Sequence, residues 1–305
     1  MLHIENLSDG LNLFKALGSE VRLEIVRLLV EQPMNMNELA GKLHITNGAL
    51  TTHIRKLEEC GMVALSNDSN GHGNQKICRI IPDKLLIDIN AAPLAVENTC
   101  SVNLKVGRYS NFQVYPTCGL ATADRIIGTV DDYRYFSHPD HFDADILWFS
   151  QGFVEYQVPN FASTYGSITQ ITVSVELSSE APGVNSHWPS DSSFYLNDVM
   201  VGTWTSPGDY GDVRGIFTPG WWFPNWNQYG LLKMLTVDRR GTFMDGLLIS
   251  DVCITDLKLD ESQMFNLRFA VDQKAAHVGG LTIFGRTFGN YAQDIQVALG
   301  YMAGA

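Results

Sequence analysis

Two different hydrophobic rhythms divide the chain. Between Leu11 and Cys60, apolar residues recur three or four positions apart, the spacing of one helix face. Leu11, Phe14 and Leu17 mark a first helix, stopped by Gly18 and Ser19, with Ser19 placed to cap the next. Val21, Ile25, Leu28 and Leu29 form the stripe of a second helix that ends before Pro33. A short third helix covers residues 37–43. A tight turn follows at 44–46, with Thr46 or Asn47 as the cap, and a fourth helix runs over 48–60 with Leu50, Ile54 and Leu57 inward. Gly61 closes that helix, because a residue just past a helix end often needs the left-handed conformation. Residues 62–66 and 76–81 read as strands around a polar loop at 67–75. Short helix, tight turn, longer helix and hairpin make the winged helix-turn-helix plan.

Beyond residue 98 the rhythm changes to period two. Residues 169–177 alternate apolar and polar positions, as a half-buried strand does. Residues 194–204 read as two strands meeting at the turn Asn197-Asp198. Residues 247–259 and 264–271 predict further strands, and 280–299 two more around a loop. The expected fold class is α+β multidomain: a winged helix-turn-helix at 1–90, then a two-sheet antiparallel β-sandwich, jelly-roll-like, at 98–305. Between them, 84–96 reads as a short helix broken at Pro93.

Composition sharpens that division. Residues 1–90 contain a single aromatic, Phe14, whereas all six Trp and eleven Tyr lie later. The net charge of −12 is unevenly shared, −2 over 1–90 and −10 over the rest. Phosphate repels an acidic surface, so DNA contact must come from a local face of the first part. The five Cys are widely spaced and lack a C-x-x-C pair, which argues against a disulfide framework or a thiolate zinc site. No apolar run approaches the roughly 20 residues that span a bilayer, and the first ten residues do not read as a signal peptide. The expectation is a cytoplasmic protein without membrane association.

The polar face of the fourth helix carries the first candidate site. Thr46, Asn47, Thr51, Thr52, His53, Arg55 and Lys56 fall where a recognition helix presents donors to base edges and cations to phosphates. Asn47 suits a bidentate pair with adenine, and the Thr methyls suit thymine. His72, Asn74, Gln75 and Lys76 are the wing, placed for the backbone or minor groove.

The run Leu13-Phe-Lys-Ala-Leu-Gly-Ser-Glu-Val-Arg-Leu-Glu-Ile-Val-Arg-Leu-Leu29 resembles the opening helices of the ArsR family of regulators. Glu38-Leu-Ala-Gly-Lys-Leu-His-Ile-Thr-Asn-Gly-Ala-Leu-Thr-Thr-His-Ile-Arg-Lys-Leu-Glu-Glu-Cys-Gly-Met-Val63 resembles its helix-turn-helix, with the segment from Leu50 to Leu57 and Gly61 at its recognition helix. The resemblance implies binding of double-stranded DNA, as a homodimer on a two-fold symmetric operator. Metal-sensing members carry Cys-x-Cys before the turn. Here Asn35-Met36-Asn37 stands there, so no metal is expected at that place.

The later part is similar in texture to jelly-roll modules that bind carbohydrates, on its strand pattern and the segment from Phe284-Gly285 to Asp294. That implies a small-molecule or carbohydrate effector. The run Thr218-Pro-Gly-Trp-Trp-Phe-Pro-Asn-Trp-Asn-Gln-Tyr229 supplies flat aromatic faces and amides, with Trp221, Trp222, Trp226, Asn225, Asn227 and Tyr229 as the candidate ligand residues. The competing reading packs these Trp residues into the core at the end of the sandwich. Trp188, Trp204, Asp191 and Asp209 fall in loop-like contexts and suit either arrangement. His138-Pro-Asp-His-Phe-Asp-Ala-Asp145 has metal-ligating residue types but no known ligand spacing, so it reads as a polar turn. Glu155, Glu176 and Asp198 are the carboxylates for a glycosidase-like pair, though nothing in the sequence brings two together.

No Walker loop, G-x-S-x-G or dinucleotide fingerprint is present, so no catalytic residue, cofactor or metal is expected. The sequence thus predicts a ligand-responsive DNA-binding regulator that is not an enzyme. The alternatives are a glycan-acting enzyme with a winged-helix appendage, and a regulator whose sandwich serves only dimer assembly.

Overall fold

The computed structural model describes residues 2–4, 10–67, 76–82, 85–87, 98–259 and 263–303, without the side chains of 3, 67 and 86. It divides into two compact units, Met1–Ala92 and Pro93–Ala305.

The first unit holds four helices, α1 (Leu11–Leu17), α2 (Glu20–Glu31), α3 (Met36–Leu43) and α4 (Asn47–Glu59). Its strands are β1 (Leu2–Ile4), β2 (Met34–Asn35), β3 (Val63–Asn67), β4 (Lys76–Ile80) and β5 (Leu85–Ile87). Ser19 stands at the N-cap of α2 without a side-chain cap bond. The start of α3 is held more firmly: Asn35 accepts from the amides of Asn37 and Glu38, and Glu38 accepts from the amide of Asn35. His44 ends α3 in the left-handed region, and Thr46 caps α4 by accepting from Ala49. Gly61 takes φ +74°, the conformation expected just past α4.

The predicted stripes converge on one core containing Leu13, Ile25, Leu29, Leu39, Leu50, Ile54, Leu57 and Met62. The hairpin β3–β4 pairs Val63 with Ile80 through Asn67 with Lys76, and the two-residue β2 adds to the other edge of β4. Two features differ from expectation. Leu85–Ile87, predicted as helix, is a strand parallel to β1. Its run of Leu and Ile follows no 3.6-residue period, and the chain's opening segment offers it an edge. The loop residues His72, Asn74 and Gln75 lie outside the described residues, as does the rest of the predicted helix.

The second unit is a large antiparallel sheet. Its strands are β6 (Asn98–Leu104), β7 (Asn111–Ala121), β8 (Ile146–Pro159), β9 (Gly166–Ser178), β10 (Ser190–Leu196) and β11 (Val199–Ser206), then β12 (Leu231–Asp238), β13 (Gly241–Met244), β14 (Leu247–Ser250), β15 (Met264–Val271), β16 (Leu281–Phe284) and β17 (Ile295–Ala303). Asn197 and Asp198, both at positive φ, make the predicted turn between β10 and β11. The predicted strand at 247–259 ends at Ser250, and Ile254–Leu257 is a 3-10 turn in which Asp256 accepts from the amide of Cys253. Asp191 and Trp204, read as loop residues, lie in β10 and β11.

The strands expected in two separate sheets are joined into one of twelve. The long strand β8 explains why. Along one edge it pairs with β7. Along the other, residues 152–159 pair with β15 and residues 146–149 with β16. Gly152 sits at this change of partner with φ +108°, and a Cβ there would lie 1.8 Å from the carbonyl oxygen of Gln113, so only glycine fits. The short β16 continues onto β9 and so links the two halves. The far ends curl towards each other until Gly202 of β11 lies against Ile249 of β14, giving a nearly barrel-shaped sheet. Its interior holds Phe149, Val154, Tyr156, Phe194 and Phe269 from one half and Val173, Val175, Leu235, Val297 and Leu299 from the other.

Candidate nucleic-acid interface and aromatic cleft

The buried stripe of α4 leaves the opposite face to solvent. Thr46, Asn47, Thr51, Thr52, Arg55 and Lys56 are all exposed there, as is Lys76 at the start of β4. Thr51 and Thr52 donate their hydroxyls to the carbonyls of Asn47 and Gly48 one turn earlier. The Asn47 amide donates to Asn37 at 2.9 Å, and Arg55 donates to Glu59 at 2.9 Å. His53 departs from the predicted set. It is half-buried, and its Nδ1 is enclosed with no hydrogen-bond partner. Burial, then the charges of Arg22 and Lys56, lower its pKa, so it is a neutral ring at the helix margin rather than a cation for phosphate. Behind it, the buried Arg22 donates to the carbonyls of Ala16 and Lys15 and ties α2 to the end of α1.

In the second unit the aromatic loop divides into core and surface. Trp222 is 1% exposed and packs with Ala121, Ile146, Trp148, Phe284 and Phe288, which project from the outer face of β7, β8 and β16 or the loop after β16. Its indole donates to the carbonyl of Asn227 at 2.8 Å. This corrects its reading as a ligand platform: the outer sheet face around Ile146, Trp148 and Phe284 is itself apolar and needs a cover, which is why residues 146–149 of β8 are apolar in succession. Trp221 is exposed and donates to the carbonyl of Ala123, and Asn225 is exposed. Tyr229 stacks on Tyr210, ring centroids 5.3 Å apart, and donates to Asp212 at 2.6 Å. None of these three lines the cleft described next.

Trp226 and Asn227 do line it. They face Trp148, Glu180, Asp131, Val130, Thr117 and residues 181–183 around a cavity of about 150 Å3. The indoles of Trp148 and Trp226 meet edge-to-face, centroids 5.8 Å apart at 66°. Asn227 donates from Nδ2 to Oε2 of Glu180 at 2.9 Å and to Thr282 at 2.8 Å. Glu180 also accepts from Thr282 at 2.9 Å. Behind it, the buried Asp209 accepts from the amide of Ala181 while its Oδ1 has no partner. Burial, then the nearby Asp209, raise the Glu180 pKa well above the carboxylate range, and burial pushes Asp209 to about 7. Sequence reasoning missed Trp148, Glu180 and Asp131. They come from three separate segments, and Trp148 stands in an apolar strand with the look of core.

The remaining candidates are held elsewhere. Glu155 and Asp198 are brought together, but by Arg268, which donates to both at 2.7 Å. Glu176 is 1% exposed and accepts from the amides of Gly230, Asn290 and Tyr291; burial pushes it to about 8. His138 caps the 3-10 turn over Pro139–Asp143, His141 bonds the carbonyl of Gly107, Asp140 pairs with Arg125 and Asp145 with Lys105. Among the described residues no three His, Cys, Asp or Glu come together to hold a metal ion, and no helix is long and apolar enough to cross a membrane. Trp204 lies under the ammonium of Lys233, and the Trp188 indole N–H is buried without a partner. All five Cys are free.

Residues 19–64 match the family model described as bacterial regulatory protein, arsR family. An uncharacterized HTH-type transcriptional regulator of Methanocaldococcus jannaschii is 29% identical over 92 residues, covering 30% of this chain and 97% of that protein. Among solved structures, HlyU from Vibrio cholerae is 24% identical over 25% of this chain and 77% of its own, with a TM-score of 0.23. A homodimeric winged helix-turn-helix DNA-binding domain from Mycobacterium bovis is 22% identical over 24% and 65%, with a TM-score of 0.22. The N-terminal unit carries a helix-turn-helix domain of the ArsR type, a class of DNA-binding transcriptional regulators.

Proposed function

We propose that the chain is a dimeric, ligand-responsive transcriptional regulator that grips an operator with α4 and senses a small effector with its C-terminal sheet. The observation that carries the DNA part is the exposed face of Thr46, Asn47, Thr51, Thr52, Arg55 and Lys56 on a helix whose other side is locked into the core. Asn, Thr, Arg and Lys on one helix face match the donors and methyls that a major groove reads. One such helix reads a half-site only, so a dimer on a two-fold operator supplies the missing contacts. The wing contributes Lys76.

The sensor part rests on the cleft beside Trp148 and Trp226. Successive strands alternate between the halves of the sheet: from β8 to β9, then β10 and β11 back on the β8 side of β16, then β12 to β14 on the β9 side. That alternation favours a jelly-roll description, and jelly-roll modules of this texture take carbohydrates. Regulation without catalysis is the better reading, because Glu155 and Asp198 are both held by one arginine and Glu176 is bound to backbone amides. An effector acts here by preferring one of the DNA-competent and incompetent states.

Selection of binding sites from random duplexes tests the reading. A recovered two-fold repeat, bound by the intact chain with steep salt dependence, supports it. Recovery of no sequence above background, with no retardation of any duplex, would sink it.

A further inference from the structure

The cleft in the second unit has a chemical bias that narrows what it takes. Its walls are two indoles set edge-to-face, Trp148 and Trp226. Its polar lining is dominated by acceptors: Glu180 and Asp131 border it, and the buried Asp209 stands behind Ala181 with an unpartnered Oδ1. Both hydrogens of the Asn227 amide are already donated, to Glu180 and Thr282, so that group offers a ligand no N–H. No Lys, Arg or His among the described residues pairs with Glu180, Asp131 or Asp209, whereas Asp132, Asp238, Asp245 and Asp294 each have such a partner. A neutral polyol needs donors and acceptors in near balance; this lining asks for a ligand that is positive.

We propose that this cleft is a binding site for a small organic ammonium ion, whose charge faces Glu180 and Asp131 and whose carbon atoms lie against Trp148 and Trp226. The proposal rests on the sensor reading of the C-terminal unit and gives its effector a chemical class. Aromatic faces attract a cation through the ring quadrupole, most strongly where water is excluded. A bare divalent ion suits the site poorly, since no three ligating groups converge there. The cavity of about 150 Å3 sets the size. An apolar cavity of about that volume holds a benzene, so a trimethylammonium group or a primary amine on a short stem fits. Burial, then the nearby Asp209, raise the Glu180 pKa, and an ammonium ion beside it favours the ionised carboxyl, its proton passing to water.

The test uses the full chain and two probes of matched shape, choline and its uncharged carbon isostere 3,3-dimethylbutan-1-ol, with glucose as a third arm. Titration is followed by calorimetry and by tryptophan fluorescence at constant ionic strength. The expected result is saturable binding of choline, weaker by about ten-fold or more for the isostere. Choline affinity should fall about ten-fold in Glu180→Gln and again in Trp226→Ala. Asp131→Asn, at an exposed position where the amide oxygen can still accept from the Cys118 N–H, serves if either variant fails to fold, and should also weaken choline. Equal binding of choline and the isostere, or choline affinity unmoved by Glu180→Gln and Asp131→Asn, overturns the proposal. Binding of glucose without choline overturns it while leaving the sensor reading intact. No saturable binding in any arm overturns it as well.

Discussion

The side-chain amide of Asn47, the first residue of α4, donates to the side-chain oxygen of Asn37 in α3, 2.9 Å away across the turn. The pair fixes the outward residue best suited to an adenine edge at a defined place on the helix-turn-helix. Asn47→Ala should therefore lower the preference for operator over scrambled duplex by about 1–3 kcal/mol, the worth of a good bidentate base contact. Asn37→Ala keeps the amide and loses only a surface bond, so it should cost at most about 1 kcal/mol of stability and little discrimination. Fluorescence anisotropy with both duplexes measures this. An unchanged ratio in Asn47→Ala would leave the residue as a turn tether alone.

Arg55 and Lys56 follow on the same exposed face, and Arg55 is drawn back by Glu59. Such contacts position a helix without reading sequence. The double variant Arg55→Ala, Lys56→Ala should weaken every duplex alike and shallow the plot of log affinity against log salt by about 2, since each phosphate contact contributes roughly 0.9. Glu59→Gln should act in the opposite direction, tightening all duplexes a few-fold by releasing Arg55 and removing a repulsive charge. If neither moves the slope, α4 does not lie along the phosphates.

Trp222 and Trp226 are four residues apart in one loop and differ in burial. Trp222→Ala removes a side chain enclosed by Trp148, Phe284 and Phe288 and should cost about 3–5 kcal/mol in urea unfolding. Trp226 is only partly buried, so Trp226→Ala should cost less and chiefly abolish the response to effector. Loss of effector response in a stable Trp221→Ala, with Trp226→Ala responsive, would move the site to the loop tip.

The contrast between these two Trp residues marks what the sequence made legible. The helix stripes, the recognition-helix face and the turn at Asn197-Asp198 rest on local spacing, and local spacing is what sequence displays. Strand partners are not local. Nothing in residues 146–159 announces that β8 changes neighbours at Gly152, and that exchange turns two expected sheets into one. The cleft was half legible for the same reason: Trp226 and Asn227 lie in a conspicuous run, while Trp148, Glu180 and Asp131 reach them only through the sheet. His53 stands apart from the others because helical spacing places it at the margin of the polar face, where it is half-buried and lies within reach of the Arg22 charge.

Asp209 makes stability depend on pH in a direction that can be worked out. Its carboxyl is held neutral to about pH 7 by burial, against 3.8 for a free side chain, so between those values the native state binds a proton that the unfolded chain releases. Stability contributed by this group is present below pH 3.8 and is lost as pH rises towards 7, on the order of 4 kcal/mol in full. Glu180, the neighbouring carboxyl, is raised too and adds loss in the same direction, starting from its own unfolded value. Urea unfolding at steps from pH 5 to 8 should show the C-terminal unit weakening, and Asp209→Asn should flatten the profile. A bound ammonium ion favours the ionised carboxyls, so saturating choline should flatten it as well in the unmodified chain. A slope that survives Asp209→Asn would assign it to other groups, among them Glu176, which burial also raises. A slope abolished by the substitution but indifferent to choline would separate the buried carboxyl from the cleft in front of it.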